Sequence, residues 1–470
     1  MKFLRLLGRL VLALVGLVLI LLIGVVAINL KDEDLTRDAQ ERIARVAPGE
    51  DPRASNGAYL LWAFDAPAGV DASALGHAVL DALAAVPPER VAQNDWTIRP
   101  PYTPQSFDFP VALACLDPNS ACISQALAKP ELLEAWVKAH AVLLERLAAI
   151  DSAPKWGALP QLEAANAPLP PVRPLIGTFS LSLDRAALEI ERHHAAEGVA
   201  LLEQDARIAR RLLATSETVF MKSIAADLLR RTLLAYSEVL STEQANAATV
   251  ALLAASLDRV AADLSPAERS LAVPLDTEAR RARNLALQVA HPSAGGGSGG
   301  SSVGSSGGAL ESLATRAAPL FFKPNATVNL EAELFDIEAP ALDASPRAFA
   351  TDVERIRGAF AARAADMGRP RFSSVYNPLG KIMAGYVPDL LDYAARVHDA
   401  QALMRAVRVQ AWLMSHQVRF AQAKEVLDSM PSDRWDPYLE RPFAWRAADA
   451  GIAVTQHSTR GVPFIKVPLT

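Results

Sequence analysis

The sequence predicts a mainly α-helical protein, with an N-terminal transmembrane helix, an antiparallel helical bundle with Pro-rich loops, and a small C-terminal β-hairpin. Residues 10–30 form an apolar run without a charged side chain. Hydrophobic residues make up 51% of the chain but aromatic residues only 6%, and Ala and Leu dominate, which favours packed helices over a large sheet. A chain of 470 residues is too long for one ordinary core, so we expect two or three domains.

The apolar run at 10–30 has the length of a membrane-spanning helix, because a rise of about 1.5 Å per residue carries it across roughly 30 Å of hydrocarbon. Lys2, Arg5 and Arg9 precede the run, whereas Lys31 follows it and is succeeded at once by three acidic residues. Basic residues stay on the cytoplasmic side. We therefore expect a single-pass inner-membrane protein with a cytoplasmic N-terminus and a periplasmic bulk.

A cleaved signal peptide is the alternative for this segment, since Val25 and Ala27 have the small-residue spacing that signal peptidase accepts. The run is longer than the usual 7–15 residues of a signal core, which favours an anchor. A lipoprotein is excluded because no Cys lies near the segment.

Composition divides the rest of the chain into regions of different character. The predicted regions are a cytoplasmic stub (1–9), the anchor (10–30), a mixed helical and Pro-rich region (31–174), a helical bundle (175–292), a Gly/Ser linker (293–308) and a helical region with the hairpin (309–470). The linker, SAGGGSGGSSVGSSGG, either joins two domains or is an insertion within one.

Local signals predict several individual elements. Thr36 is an expected N-cap, and Ser265 with Pro266 is a strong helix start. Continuous helices are predicted for 131–150 and 400–430. Residues 451–454 and 462–467 read as two short strands, and the apolar segment 56–65 fits either a buried helix or a strand.

The two cysteines, Cys115 and Cys122, flank a sequence with strong turn chemistry, CLDPNSAC. In an oxidising compartment this spacing predicts a disulfide, which stabilises by about 2–3 kcal/mol in the chain-entropy model. A metal site would need about four ligands, and no companion Cys or His cluster accompanies the pair.

Recognisable catalytic and nucleotide-binding motifs are missing from the sequence: it has no G-x-S-x-G, H-E-x-x-H, P-loop or helix-opening G-x-G-x-x-G. The formal net charge of −5 and the interspersed charges do not form a basic surface, so no nucleic-acid partner is expected. The catalytic residues, if any, are unknown from sequence, and we predict neither a cofactor nor a metal.

Glu189, His193 and Glu197 are spaced four residues apart, which would place two carboxylates and an imidazole on one helix face, with His194 beside them. Such donors bind metals or perform acid/base chemistry. A solvated helix face is the simpler interpretation, because no second cluster completes the shell.

Three further features have structural explanations that we prefer to functional ones. Asp399, after His398, is expected to be the N-cap of the helix that follows, and Lys381 a surface residue in a first helical turn. The aromatic residues are expected in core and interdomain packing rather than in a ligand cage; they include Tyr59, Trp62, Trp136, Trp412, Trp435 and Trp445.

Five fragments together resemble an uncharacterised family of single-span, largely helical envelope proteins of Gram-negative bacteria. They are NGAYLLWAFDAPAGVD (56–71), FFKPNATVN (321–329), YNPLGKIMAG (376–385), YAARVHDAQAL (393–403) and WDPYLERPFAW (435–445). The last is similar to an Asp-Pro-Phe/Tyr-x-x-x-Pro-Phe turn before a C-terminal hairpin, with Leu439-Glu440 in place of small residues. The resemblance implies placement in the envelope and carries no known activity or site.

These observations favour a non-enzymatic, membrane-anchored periplasmic protein that binds or scaffolds a protein partner in the envelope. Two alternatives stay open: a periplasmic hydrolase whose site is assembled from distant residues, and a helical carrier of an apolar ligand.

Overall fold

A computed structural model describes residues 2–45, 57–86, 90, 100–105, 107, 122–156, 169–242, 245–290, 321–368, 375–385, 387, 389–459 and 463–469. Within these ranges the side chains of residues 2–11, 18, 21, 22, 84 and 122 are not described. The predicted linker at 293–308 and Cys115 lie outside the described residues, and so does the side chain of Cys122. The disulfide therefore stays a prediction.

The described part of the chain is mainly helical with one small antiparallel sheet, which confirms the predicted fold class at that level. Its helices are α1 (Lys2–Ile28), α2 (Arg37–Ala44), α3 (Gly57–Trp62), α4 (Ala72–Ala84), α5 (Cys122–Leu127), α6 (Pro130–Ala139), α7 (Ala141–Ser152), α8 (Val172–Glu191), α9 (Ala195–Thr215), α10 (Val219–Leu240), α11 (Ala247–Val260), α12 (Pro266–Arg269), α13 (Ala272–Ala290), α14 (Pro324–Leu342), α15 (Pro346–Gly368), α16 (Pro378–Ala384), α17 (Leu391–Ser415) and α18 (Ala423–Asp428).

The apolar N-terminal run lies within α1, a helix of 27 residues. Several of its described apolar side chains are exposed, among them Leu12 (76%), Ile20 (69%) and Ile23 (65%). Among the residues whose side chains are described, no helix combines the length and the hydropathy required to cross a membrane.

Helix boundaries follow local capping chemistry where the sequence contains it. The Thr36 hydroxyl accepts the Ala39 N–H at the start of α2. Ser265 and Glu268 form a complete capping box at α12, each side chain accepting the other residue's N–H. Both predicted starts are confirmed, because a cap depends on residues only three positions apart.

Two predicted long helices are interrupted. The expected helix 131–150 is divided into α6 and α7 at His140, whose non-helical backbone serves as the C-cap of one and the N-cap of the other. The expected helix 400–430 instead begins at Leu391. It ends at Ser415, because Gln417 adopts a left-handed conformation with φ of 50°. Short 3-10 and α-helices follow it.

The bundle core forms between α8, α9, α10 and α17. The first three are consecutive and are joined by the short segments 192–194 and 216–218, and α17 lies across α10 and α11. Phe179, Leu202 and Leu228 are fully buried between them. Because the same apolar cluster includes Leu403 of α17, helices from both sides of the Gly/Ser stretch contribute to one core.

The second layer contains α2, α13, α14, α15 and α16. α13 packs on α14, although the Gly/Ser stretch separates them in sequence, and α2 contacts both. Phe322 and Ala286 are buried in the apolar cluster that joins them.

The C-terminal sheet has three strands, β1 (Trp445–Arg446), β2 (Gly451–Ala453) and β3 (Phe464–Lys466), in the order β1-β2-β3. All pairs are antiparallel, and Ile452 is opposite both Trp445 and Ile465. The predicted strand pair corresponds to β2 and β3. β1 was not predicted because a strand of two residues shows no alternating pattern.

Candidate functional site

The most elaborate polar site in the described residues is the junction between the end of α1 and the helical body. We define the junction as residues 29–45 together with the parts of α13, α14 and α16 that they contact. Asn29, directly after α1, is fully buried. Its Nδ2 donates to the Val375 carbonyl (2.7 Å) and its Oδ1 accepts the Asn377 N–H (2.8 Å). One amide thus joins the end of α1 to a segment more than 300 positions away.

Asn377 continues this network into α14 and α16. Its backbone is left-handed, with φ of 50°, and its Oδ1 accepts the Gly380 N–H (3.2 Å) as the N-cap of α16. The same oxygen accepts the Lys323 N–H (2.8 Å), and its Nδ2 donates to Thr327 Oγ1 (3.0 Å). Asn tolerates this conformation better than most residues, so a single side chain caps one helix and holds the start of another.

The acidic segment after α1 binds the N-terminus of α14. The Asp32 carboxylate accepts the N–H groups of Asn325 (2.9 Å) and Ala326 (3.2 Å). These are first-turn donors without an intrahelical partner, and a carboxylate is favoured there by the helix dipole. Asn329, one turn further on, accepts the Thr36 N–H (2.8 Å). The segment therefore lies along α14.

α2 is fastened to the body by Arg42, which is 7% exposed. Its guanidinium bonds Asp276 of α13 (3.3 Å) and also Asp336 of α14. Arg280 of α13 donates to the carbonyl of Arg45 at the end of α2. α2 is thus held by charge-assisted bonds as well as by apolar contact.

A cavity of about 560 Å³ with several charged side chains on its wall lies beside the junction, between α2, α14, α15 and α16. Arg363 and Glu333 on its wall form a bidentate pair with both N···O distances at 2.7 Å. The Tyr376 hydroxyl is buried there, and burial with nearby Glu33 raises the pKa of Tyr376 to about 12. Burial and the neighbouring Arg363 lower the pKa of Lys381. Mixed charge of this kind suits binding of a polar or charged group.

Glu189, His193 and Glu197 do not share a helix, which corrects the single-face arrangement expected from their spacing. α8 ends at Glu191 and α9 begins at Ala195, because His193 adopts a left-handed conformation with φ of 65°.

His194, not His193, completes the group. The ligand atoms of Glu189, His194 and Glu197 lie within 4.8 Å of one another, and His194 Nδ1 is 3.0 Å from Glu189 Oε2. The donor types suit zinc, but two of the three residues are exposed and a structural zinc site has four ligands. An imidazole–carboxylate hydrogen bond at a helix turn accounts for the arrangement.

A second cavity, of about 500 Å³, lies between α6, α7, α8 and α9, next to this turn. Glu189 and Arg192 line it, and Arg192 forms an ion pair with Glu134 of α6 across its wall. Glu145 and Arg185 add one charge of each sign. The lining contains three acids and three bases, so the cavity has no dominant charge.

Asp399 is not the helix N-cap that the sequence suggested, because α17 begins eight positions earlier at Leu391. It is buried in mid-helix and accepts the Tyr438 hydroxyl (2.6 Å) and the N–H groups of His457 (2.9 Å) and Ser458 (3.0 Å). Burial lowers the pKa of the neighbouring His398 to about 3, so this imidazole is neutral. The cluster holds the C-terminal segment on α17.

The aromatic residues serve packing, as expected, where the structure describes them. Tyr59 and Trp62 are buried against α4, and Trp412 and Trp445 lie against the main core. Trp435 donates its indole N–H to the Met430 carbonyl (2.7 Å).

The junction was missed by sequence analysis, although a signal for it exists. An Asn that directly follows an apolar helix and an Asn-Pro pair that opens another are both residues with strong local hydrogen-bonding roles. What the sequence does not show is that the two side chains bond each other's segments. Comparisons of the chain with family models, with curated proteins and with solved structures find no match.

Proposed function

We propose that the protein is anchored in the inner membrane by α1 and holds a periplasmic helical body that binds or scaffolds a partner in the cell envelope, without catalysis. The observation that carries the proposal is the junction: residues 29–45 are built into the body by buried hydrogen bonds and ion pairs. The membrane part rests on the complete sequence of residues 10–30, some of whose side chains lie outside the described set.

The exposed apolar side chains of α1 support an anchor. Ile20 and Ile23 are more than half exposed, and transferring such side chains from water to an apolar phase is favourable by about 1.5–3 kcal/mol each. A helix with apolar residues all round is stable in lipid, where its backbone is already satisfied.

The rigid connection supports a scaffold rather than a tethered enzyme. A flexible linker would let the body sample many distances from the bilayer, whereas the Asn29 and Asp32 contacts fix the first turns of the body to the end of the anchor. A binding surface on the body is then presented at one height above the bilayer, which lowers the entropy cost of association.

The anchor is tested by fusing alkaline phosphatase or a fluorescent protein after Thr470. We expect an active phosphatase, a dark fluorescent fusion, and full-length protein that stays with membranes in carbonate. An inactive phosphatase with a bright fluorescent fusion would refute the topology, and release by carbonate would refute the anchor.

The scaffold is tested by crosslinking in intact cells and identifying adducts of the wild type and of Asn29→Ala. This variant keeps the apolar run but leaves the Asn377 N–H and the Val375 carbonyl unpaired. We expect one reproducible adduct in the wild type and a weakened adduct in the variant, at equal membrane abundance. Replacing residues 10–27 by an unrelated span is the control, and should preserve the adduct. Identical adducts in all three would contradict the role of the junction.

A further inference from the structure

The short helix α16 has an apolar outer face. Leu379 is 38% and Ile382 is 58% exposed, and a spacing of three places them on one side. The opposite side is packed, with Gly380 and Ala384 buried. Met383, which flanks the exposed pair, lies partly buried against the apolar cluster of α2, α13 and α14. A Cβ at Gly380 would lie 2.0 Å from Thr327 Oγ1, so α16 is pressed tightly on α14. The outer face is therefore held in a fixed orientation.

The junction determines how far α16 lies from the end of α1. The N–H of Asn377, the N-cap of α16, donates to Asn29 Oδ1 (2.8 Å), so α16 begins beside the end of α1. Ile382 is five residues beyond Asn377, which is roughly 7.5 Å of helix at most. Next to this contact, Ile28 (51%) and Leu30 (72%) are also exposed.

These lengths compare directly with a bilayer. The polar layer on each side is about 5–8 Å thick, taking a total of about 40–45 Å and a hydrocarbon core of about 30 Å. The end of α1 lies at the boundary of that core if α1 crosses it. Measured from Asn377, Ile382 is then at most roughly 7.5 Å further from the core boundary, which is comparable with the thickness of the headgroup layer.

We infer that α16 is a second membrane contact, with Leu379 and Ile382 seated in the interfacial layer of the bilayer that α1 crosses. The occupant is lipid because Asn377, the N-cap of α16, is bonded to Asn29, which lies between the exposed apolar residues Ile28 and Leu30 at the end of α1. This inference rests on the proposed anchor. Two contacts at one end of the body would fix its tilt as well as its height, since a single helix allows rotation about its axis.

Photocrosslinking of the full-length protein tests the contact. The photoreactive residue p-benzoylphenylalanine is placed singly at Leu19, Leu252 or Ile382, and each protein is reconstituted in vesicles of phosphatidylethanolamine and phosphatidylglycerol. Leu19 in α1 is 54% exposed and reports the anchor; Leu252 on α11, a helix that packs on α9 and α17, is 42% exposed and is the matched control. Lipid adducts are quantified by mass spectrometry after irradiation, and a thermal midpoint equal to that of the wild type confirms folding.

The expected result is lipid adducts at positions 19 and 382 and several-fold fewer at 252. Adducts at 19, with position 382 no higher than 252, would overturn the α16 contact and leave the anchor intact. A crosslink from 382 to a second protein chain would also overturn it, since a protein would then occupy the face. Absence of adducts at 19 would refute the anchor, and the α16 contact with it.

Discussion

Asn377 shows how much of the junction depends on one side chain. Its backbone is left-handed, a conformation that costs roughly 1–2 kcal/mol for most L-residues. Its side-chain amide accepts hydrogen bonds from the N-termini of two helices. Asp or Ser would serve as well in an isolated cap. An ionised Asp has no donor for Thr327, and Ser has one oxygen for the contacts that Asn377 divides between Oδ1 and Nδ2.

We expect Asn377→Ala to lower the free energy of unfolding by about 3–4 kcal/mol. It removes a cap worth about 1 kcal/mol, takes the Oδ1 acceptor from the Lys323 N–H at a cost of about 1–2 kcal/mol, and places Ala in a left-handed backbone at about 1 kcal/mol. Urea unfolding of the detergent-solubilised protein measures this. Asn377→Gly is the matched control: it also lacks the amide but accepts the left-handed backbone, so it should recover about 1 kcal/mol. Equal stability of wild type and Asn377→Ala would show that the network contributes nothing.

The buried carboxyl group of Glu338 makes the stability of the protein depend on pH. Glu338 of α14 is fully buried, and one oxygen accepts the Leu390 N–H at 3.2 Å. Burial raises its pKa to about 8, and nearby Asp389 adds to the shift. The unfolded carboxyl has a pKa of about 4.3. The native state therefore binds the extra proton between these values, and its contribution to stability falls as the pH rises from about 4.3 to 8.

We expect Glu338→Gln to remove this loss, because the amide cannot ionise and its carbonyl can still accept the Leu390 N–H. Relative to wild type, the variant should gain stability by up to about 1.4 kcal/mol per pH unit between pH 5 and 8. Denaturant unfolding at several pH values measures the difference. Glu331→Gln is a useful comparison, since burial raises the pKa of Glu331 to about 7, and its gain should end about there. A difference independent of pH would contradict the assignment.

At the next level, α2 depends on the body more than on its own sequence. It has eight residues, fewer than an isolated helix needs to be stable in water. Two arginines five residues apart lie on different faces and differ sharply in environment. Arg42 is buried against Asp276 and Asp336. The side chain of Arg37 is 88% exposed and pairs with Glu41.

Arg42→Ala should therefore cost about 1.5–3 kcal/mol, the range for losing hydrogen bonds to charged groups. The cost stays below that of a fully buried pair, because Asp336 is 38% exposed and Asp276 keeps Arg45 at 3.8 Å. Arg37→Ala should leave the stability almost unchanged, because an exposed pair is screened by solvent. Hydrogen exchange should show faster exchange of the α2 amides in the first variant alone. Similar protection of α2 in both variants would show that apolar packing, rather than Arg42, holds the helix.

α16 is likewise defined by tight packing at one residue. Gly380 is the position where α16 approaches α14 closely, and its helical backbone does not require glycine. The constraint is space. The same close packing is what leaves Leu379 and Ile382 facing outward.

For the molecule as a whole, the Gly/Ser stretch raises the question whether the helical body is one domain or two. α13 and α14, which flank it, pack on each other, and α10 and α11 pack on α17. Leu228 of α10 and Leu403 of α17 belong to the same buried cluster. The contacts favour an insertion within one unit, and the division at 293–308 stays a prediction.

We expect a broad-specificity protease to cut within 293–308 and the two fragments to remain associated in native gel filtration. Shortening Gly295–Gly307 to a few residues should leave the thermal midpoint almost unchanged, because loop-closure entropy varies slowly with length. Fragments that separate without denaturant would identify two domains. Resistance of the whole stretch to cleavage would show that it is ordered.

The features that sequence analysis predicted correctly are those set by near neighbours. The Thr36 and Ser265 caps depend on backbone donors three residues away, and the helical fold class follows from composition and periodicity. The same dependence on near neighbours explains the errors. Spacing alone extended one helix through His193, whose backbone is left-handed and ends the helix. It also placed the start of another helix at Asp399, although that helix begins at Leu391.

Tertiary structure alone decided which polar side chains meet. Asn29 and Asn377 are 348 positions apart, and nothing near either residue indicates its partner. Asp399 looks like a cap in sequence and is a buried acceptor for the C-terminal segment in the fold. A buried polar group must find hydrogen-bond partners wherever packing places it, so its role depends on the arrangement of whole helices. An apolar run such as 10–30 is different, because its own residues determine its preference for a helix and for an apolar environment.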